Sequence, residues 1–418
     1  MTRGTAFLVI LLLLGSAVRA ENWTAWRGPT GQGHSAETNM PLTWSETENI
    51  RWKIPLEHQG NSTPVVWEDK IFLTQANKDG LTRSLFCFAR EDGRQLWRND
   101  VEYAEKERNW NDSWYANASP ATDGVRVVVS LGSAGMYCYD FEGKELWKRT
   151  DLGAWDHAFG NASSPVLYGD LVILWCGPND KKGRNFLLAV NKENGKTVWE
   201  HDEENGSWGT PLLINQNGGD QLLLATVPHL LGLNPKNGEE IWKCEGLTKY
   251  VYTSPLYSDG KAVAMSGYSG AALAVRLSGT GDITADRLWH HPKNIQRVGS
   301  GVIVDGHVYQ MEENGVPHCY NLETGEEVWQ LTKRPEGGTT WGSMVHVQGK
   351  LYVLMRNGTT QVFAASPTYE QLATNPLKGE STNSSLAISN GDVFLRTFKH
   401  LWCVREGAAA AGRELSGE

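Results

Sequence analysis

The stretches DGRQLW (Asp92–Trp97), EGKELW (Glu142–Trp147), NGKTVW (Asn194–Trp199), NGEEIW (Asn237–Trp242) and TGEEVW (Thr324–Trp329) each place a tryptophan four residues after a glycine. Two weaker copies, ENIRW ending at Trp52 and ADRLW ending at Trp289, extend the series, and EQLA at 370–373 keeps only Leu372. Successive copies are 45, 50, 52, 43, 47, 40 and 43 residues apart. A period of that length, marked by a tight turn and a hydrophobic strand, is the sequence signature of a propeller or similar array. Each unit is too small to bury its own apolar face and must stack on its neighbours. The series has eight members.

Around the motif the units share one layout. STPVVWEDKIFLT from Ser62, SSPVLYGDLVILW from Ser163 and GSGVIVDGHVYQM from Gly299 each open on a small polar step and run into two short alternating apolar segments. Those segments flank a turn pair, such as Gly-Asp or Asp-Gly in the latter two, that suits a tight hairpin. A third run follows, then the glycine turn, then the tryptophan strand. Four strands, A to D, make one blade. ENIRWKI near the N-terminus is a D strand without its A to C, and SSLAISNGDVFLRTFKHLWCVR from Ser384 is A to C without a D. Paired, they complete an eighth blade and remove the open sheet edges that invite aggregation. The expected fold is all-β: an eight-bladed β-propeller of four-stranded antiparallel blades over residues 21–405, closed by its N- and C-terminal strands. Two sandwiches would not repeat a GxxxW turn, and a solenoid would need no complementary half-repeats.

The first twenty residues stand apart. Arg3, the apolar run Ala6–Leu14 and the small-residue step Val18-Arg19-Ala20 fit a secretory signal peptide cleaved near Ala20. That places the expected mature chain in the periplasm or outside the cell, with no transmembrane segment. Residues 406–418 lack any strand pattern and are expected to be a disordered tail. The net charge of −9, from 39 basic and 48 acidic residues, carries no clustered basic footprint for nucleic acid. Cys87, Cys138, Cys319 and Cys403 occupy the same strand of different units, so their thiols point alike and are expected to pack as small hydrophobes. Cys176 and Cys244 are less regular.

The repeated G-x-x-[LVI]-W strand resembles the quinoprotein-type repeat of eight-bladed propellers. That group includes PQQ-dependent alcohol dehydrogenases and the assembly factor BamB. The opening Trp26-Arg27-Gly28-Pro29, the segment Glu48–Lys53 and the Ser/Thr-Pro-Val-Val strand are similar to exported PQQ-like propeller repeat proteins. The resemblance implies the fold, and it leaves two functions open. One is a non-catalytic binding or scaffold propeller of the bacterial envelope, a monomer or a subunit of a larger assembly, with an envelope protein, peptide or glycan as partner. The other is a quinoprotein oxidoreductase using PQQ.

An antiparallel A-to-D order puts the A–B and C–D turns on one face and the B–C and D–A loops on the other. The A–B and C–D turns are short and glycine-rich, while the D–A loops are long and varied, which marks the D–A face as functional. A is the innermost strand, so residues just ahead of it should crowd the channel mouth. These include Asn61, Asn117, Asn161, Trp208, Tyr252, Arg297, Trp341 and Asn383. The loops RNWNDSWYANAS and LGAWDHAFGNAS add Trp110, Trp114, Tyr115, Trp155 and His157. Aromatic plates beside amides suit a flat polar ligand such as a sugar ring, a peptide or a quinone; the same aromatics would equally serve to pack long loops onto the propeller. Catalytic groupings are thin. The family's dehydrogenases carry an aspartate base, metal ligands, an arginine near the quinone and commonly a vicinal disulfide, and this chain has no Cys-Cys pair. Asp156, His157 and Arg297 have no spacing that requires catalysis, and the adjacent His290 and His291 would face opposite sides of a strand. No catalytic residue and no metal site are therefore expected.

Overall fold

The computed structural model describes residues 21–108, 113–179, 183–294, 298–329, 331 and 334–408. The expected signal peptide, Trp110, Arg297 and residues 409–418 of the expected tail lie outside the described residues. Eight sheets follow one another around a ring. Blade 1 comprises Val65–Trp67, Lys70–Ala76, Thr82–Ala89 and Gln95–Glu102 as strands A to D. Blades 2, 3, 4, 5 and 7 repeat that antiparallel order. In blade 6 the fourth strand is reduced, among the described residues, to the single bridge Tyr320–Glu327. Blade 8 takes A to C from Ala387–Ser389, Asp392–Arg396 and His400–Arg405, and its D strand from Ile50–Pro55. Trp52 pairs with Cys403 and Ile54 with Leu401, so the two ends of the propeller close the ring as the half-repeats predict.

The hairpin chemistry holds at the A–B turns. Asp259-Gly260 and Asn390-Gly391 have both φ angles positive, +48° and +76° in the first, +48° and +74° in the second. That is the I′ geometry whose twist matches the strands it joins.

The glycine–tryptophan motif works differently from its appearance in sequence. Trp52, Trp97, Trp147, Trp199 and Trp289 each lock onto the next blade's glycine, not their own. The Trp97 indole donates to the Phe141 carbonyl at 2.9 Å, Trp147 to Lys192 at 2.8 Å and Trp199 to Pro235 at 3.2 Å. Trp52 and Trp289 do the same to Arg90 and Leu322, both at 2.9 Å. The ring then lies flat on the turn glycine: a Cβ on Gly195 would come within 2.7 Å of Trp147, and one on Gly238 within 2.5 Å of Trp199. Trp242 and Trp329 are the exceptions: Trp329 donates to the Ser366 carbonyl at 2.9 Å, but the blade-7 turn there carries no glycine. The blade-5 copy ADRLW lacks the glycine, and Trp242 donates instead to Gln221 of its own blade at 2.8 Å. The irregular C–D connection of blade 5 meanwhile adds Gly281–Asp282 as a parallel edge strand beside it.

A second belt runs around the channel through the small polar steps. The backbone N–H of Thr63 donates to Ser119 Oγ, Ser119 to Ser164 Oγ and Ser164 to Thr210 Oγ1. Ser254, Ser300 and Ser343 continue to Ser300, Ser343 and Ser385, all six at 2.9–3.0 Å. These steps lie at the crowded inner edge, where each N–H must find a partner from the adjacent blade.

Between blades the faces interdigitate. Val128, Cys138 and Trp147 of blade 2, for example, pack against Val172, Leu174 and Leu188 of blade 3. All six cysteines are free and buried, and burial pushes the Cys87 thiol up to about 12. The N-terminal segment crosses the A–B end of the channel. Trp23 bridges Val66 of blade 1, and His34–Ser35 adds a short parallel strand to Val345–Val347 of blade 7. Among the described residues no helix is long and apolar enough to cross a membrane.

Candidate functional site

The loops leading into the A strands converge at one end of the channel around a cavity of about 170 Å³. Asn61, Asn117, Trp208, Tyr252, Trp341 and Asn383 line it as expected from sequence, joined by Phe159 and Tyr268. The asparagines form a linked rim. Asn61 Nδ2 donates to Asn117 Oδ1 at 2.8 Å, and Asn117 Nδ2 donates to the Asn161 carbonyl at 2.9 Å and to Ser113 Oγ at 3.0 Å. Across the mouth, Arg356 Nε donates to Asn383 Oδ1 at 2.9 Å while its guanidinium lies 4.6 Å from the Trp341 ring. Trp341 Nε1 donates to Glu313 Oε1 at 2.8 Å.

Trp208 is the centre of an aromatic wall. His157 meets it edge-on at 4.7 Å, Tyr252 lies at 4.7 Å and Tyr250 at 5.7 Å, and its indole donates to the Gly160 carbonyl at 2.8 Å. Phe159 stacks on Tyr268 at 6.1 Å. His157 is buried, and its Nδ1 accepts the Phe159 N–H at 3.1 Å. A second depression of about 610 Å³ shares Trp208 and Tyr268 with the cavity and runs outward past Asn179, Asn205, Lys249 and Tyr250.

Other aromatics named from the sequence go elsewhere. Trp155 is 3% exposed in the core between blades 2 and 3, its N–H donating to Ser133 Oγ. Tyr115 lies against Gly80, with the Arg83 guanidinium 5.2 Å from its ring. Trp114 packs edge-on to Phe398 of blade 8 at 5.8 Å. These three tie long loops to the ring, because a large apolar side chain at a loop base finds the inter-blade groove before it finds the channel.

The floor of the cavity is Trp26, a residue that the repeat pattern does not reach. It comes up through the channel on the N-terminal segment, next to Arg27, which adopts φ +65°. The buried Arg27 donates Nη2 to the carbonyls of Gln32 and Gly301, both at 2.5 Å, and burial lowers its pKa to about 9. Beyond it His34 and His346 meet Nδ1 to Nδ1 at 3.1 Å. Burial first, then His346 and Arg27, push His34 down to about 4. The one sequence cue to this plug is the density of glycines in WRGPTGQG, where Gly28, Gly31 and Gly33 all take positive φ.

The profile of the family described as "Outer membrane protein assembly factor BamB" matches residues 82–331. Among curated protein sequences no relative matches the chain. BamB from Moraxella catarrhalis superposes with a TM-score of 0.61 at 14% identity, covering 85% of this chain and 96% of that one. The quinohemoprotein alcohol dehydrogenase of Comamonas testosteroni superposes with a TM-score of 0.69 at 11% identity, over 95% of this chain and 82% of its own. The computationally designed protein Ika8 matches at 13% identity with a TM-score of 0.60, over 85% of this chain and 100% of its own. At these identities the likenesses show the fold.

Proposed function

The chain belongs to the family described as outer membrane protein assembly factor BamB, and on that premise we propose that it is a non-catalytic binding or scaffold propeller of the bacterial envelope, engaging its ligand or partner at the D–A mouth. The observation that carries this reading is a cavity walled by aromatics and amides, floored by Trp26 and sharing its Trp208–Tyr268 wall with an open depression on the same face. Such a concave, mostly apolar site with a few convergent polar groups is built to bind.

Oxidoreductase chemistry through PQQ needs a lining that can hold a multiply carboxylated quinone and its metal ion. Among the described residues no lysine or arginine lines the cavity, and no group of three His, Cys, Asp or Glu is placed to hold a metal. The six cysteines are separate thiols. These residues do not fit the cofactor, and no redox step follows from them. Addition of PQQ and calcium to the purified protein should give neither quinone absorbance nor dye reduction; PQQ-dependent dye reduction would overturn the binding-only reading.

The direct experiment is photocrosslinking in intact envelopes. A photoreactive side chain in place of Tyr250, on the mouth face, should yield a discrete adduct. The same group in place of Asp259, in a turn on the opposite face, should not. Equal labelling from both faces, or from neither, would refute the assignment of the mouth.

A further inference from the structure

We propose that the mouth cavity and the depression beside it form one cleft for an uncharged oligosaccharide, whose end ring enters the channel above Trp26. This deepens the binding reading and rests on it. Three features select the chemistry. The walls carry aromatic rings at two levels: Trp26, Trp208 and Trp341 within the cavity, and Tyr250, 45% exposed, over the outer depression. Sugar rings present a patch of C–H groups that packs against such faces, with hydroxyls around the edge. The polar part of the inner lining is amide and hydroxyl, from Asn61, Asn117, Asn383, Ser113, Thr210 and Ser385. Amides and hydroxyls both donate and accept, as a ring of sugar hydroxyls requires.

Charge argues the same way. Among the described residues no Asp, Glu, Lys, Arg or His lines the inner cavity, and the charged groups behind it, Arg356 and Glu313, already hold Asn383 and Trp341, so a ligand carboxylate or ammonium would shed its water without a lining counter-charge. An extended peptide is held chiefly by main-chain pairing along an open strand edge. None of the residues lining the cavity or the depression belongs to a strand, so the cleft offers no such edge. The depth has a limit. Trp26 closes the cavity from below while the depression opens outward past Asn205 and Lys249, so a chain can enter by one end and leave its remainder on the rim.

The test uses the full mature protein on an array of neutral mono- to hexasaccharides of glucose, mannose, galactose and N-acetylhexosamines, with uronic-acid and sulfated oligosaccharides alongside. Hits are titrated by calorimetry. Retention of at least one neutral series is expected, with affinity rising from one ring to three and then levelling. Tyr250→Ala should weaken binding about tenfold, since stacking on one aromatic is worth on the order of a factor of ten. Because Tyr250 also touches Trp208 and His157, the Tm of the variant is read beside its affinity, with Tyr250→Phe, which keeps the ring, expected to retain binding; Trp341→Ala gives a second reading from the inner wall. Absence of any neutral hit, preference for the charged sugars, retention of peptides instead, or titrations indifferent to both substitutions would each overturn the proposal. If no sugar binds while the Tyr250 crosslink to an envelope component persists, the saccharide fails and the binding mouth stands. Loss of both removes the mouth as well.

Discussion

At the residue scale, the decisive contact is a tryptophan lying on a glycine of the following blade. Two constraints coincide at Gly238: φ is +75°, and the Trp199 ring occupies the space a Cβ would need. Gly169 has a positive φ of +54° with nothing within 4 Å, so it carries the first constraint alone. Gly238→Ala should therefore lower stability by roughly 3 kcal/mol and Gly169→Ala by about 1, read from thermal or urea unfolding. Equal losses would mean that backbone conformation, and not the lock, sets the cost. A different residue-scale effect sits at the plug. His34 is held neutral in the folded chain with its pKa near 4, against an ordinary value of 6.5. His346, also lowered by burial, and Arg27 face it, while Asp305 pulls His346 the other way. Below pH 6.5 the unfolded chain takes up the proton that the folded one refuses. Stability should accordingly fall as pH drops from about 6.5 to about 4 and then level, by about 3 kcal/mol from His34. His34→Gln should flatten that slope in urea titrations taken across the window; an unchanged slope would place the protonation elsewhere.

At the element scale, the closing blade is pinned by one buried carboxylate. Asp392, fully buried on strand B of blade 8, receives Arg405 Nε at 2.5 Å and Arg90 Nη2 at 2.9 Å. Arg51 from the N-terminal D strand reaches it at 3.3 Å. Three segments of chain, from blade 1 and both ends of blade 8, therefore meet on one side chain. Asp392→Asn keeps the volume and removes the charge, leaving the buried Arg90 without its counter-ion. A loss of about 3–5 kcal/mol is expected, measurable by chemical denaturation, whereas the half-exposed ion pair of Arg108 with Asp156 should cost under about 1 kcal/mol when Asp156 is neutralised. The strands themselves were readable because period-2 alternation and glycine turns are local signals. The parallel edge strand Gly281–Asp282 was not: Trp242 lies on Gly232 of its own blade instead of a turn glycine of blade 5, and the longer blade-5 connection folds back beside it.

At the scale of the whole molecule, ring closure is the property most exposed to test. Deleting 48–54 removes the only D strand available to blade 8 and should yield aggregation, not a mildly weakened monomer; a well-behaved monomer on size exclusion would sink that account. Blade number and closure could be inferred from sequence because the half-repeats are complementary. Part of the mouth could too, since residues just ahead of an inner strand lie beside the channel: Asn61, Asn117, Trp208, Tyr252, Trp341 and Asn383 line the cavity, while the Asn161 side chain turns to Gly132. Trp155 and Tyr115 did not follow, because loop residues further from the strand choose between channel and core by contacts that no spacing encodes. Trp26 was invisible for another reason. It belongs to no repeat, and its place depends on Arg27 and Gly33 meeting blades 6 and 7 across the channel. The forward reach of each lock also bears on how such a chain can grow. Counted from D strand through the following A to C, Trp52 and its partner Gly93 fall within one repeat, as do Trp97 with Gly143 and Trp147 with Gly195. A genetic duplication in that phase copies an interface whole, donor and acceptor together, whereas one cut at blade boundaries would separate Trp52, Trp97, Trp147, Trp199 and Trp289 from the glycines they rest on. The offset between repeat and blade thus makes the interface, and not the sheet, the inherited unit.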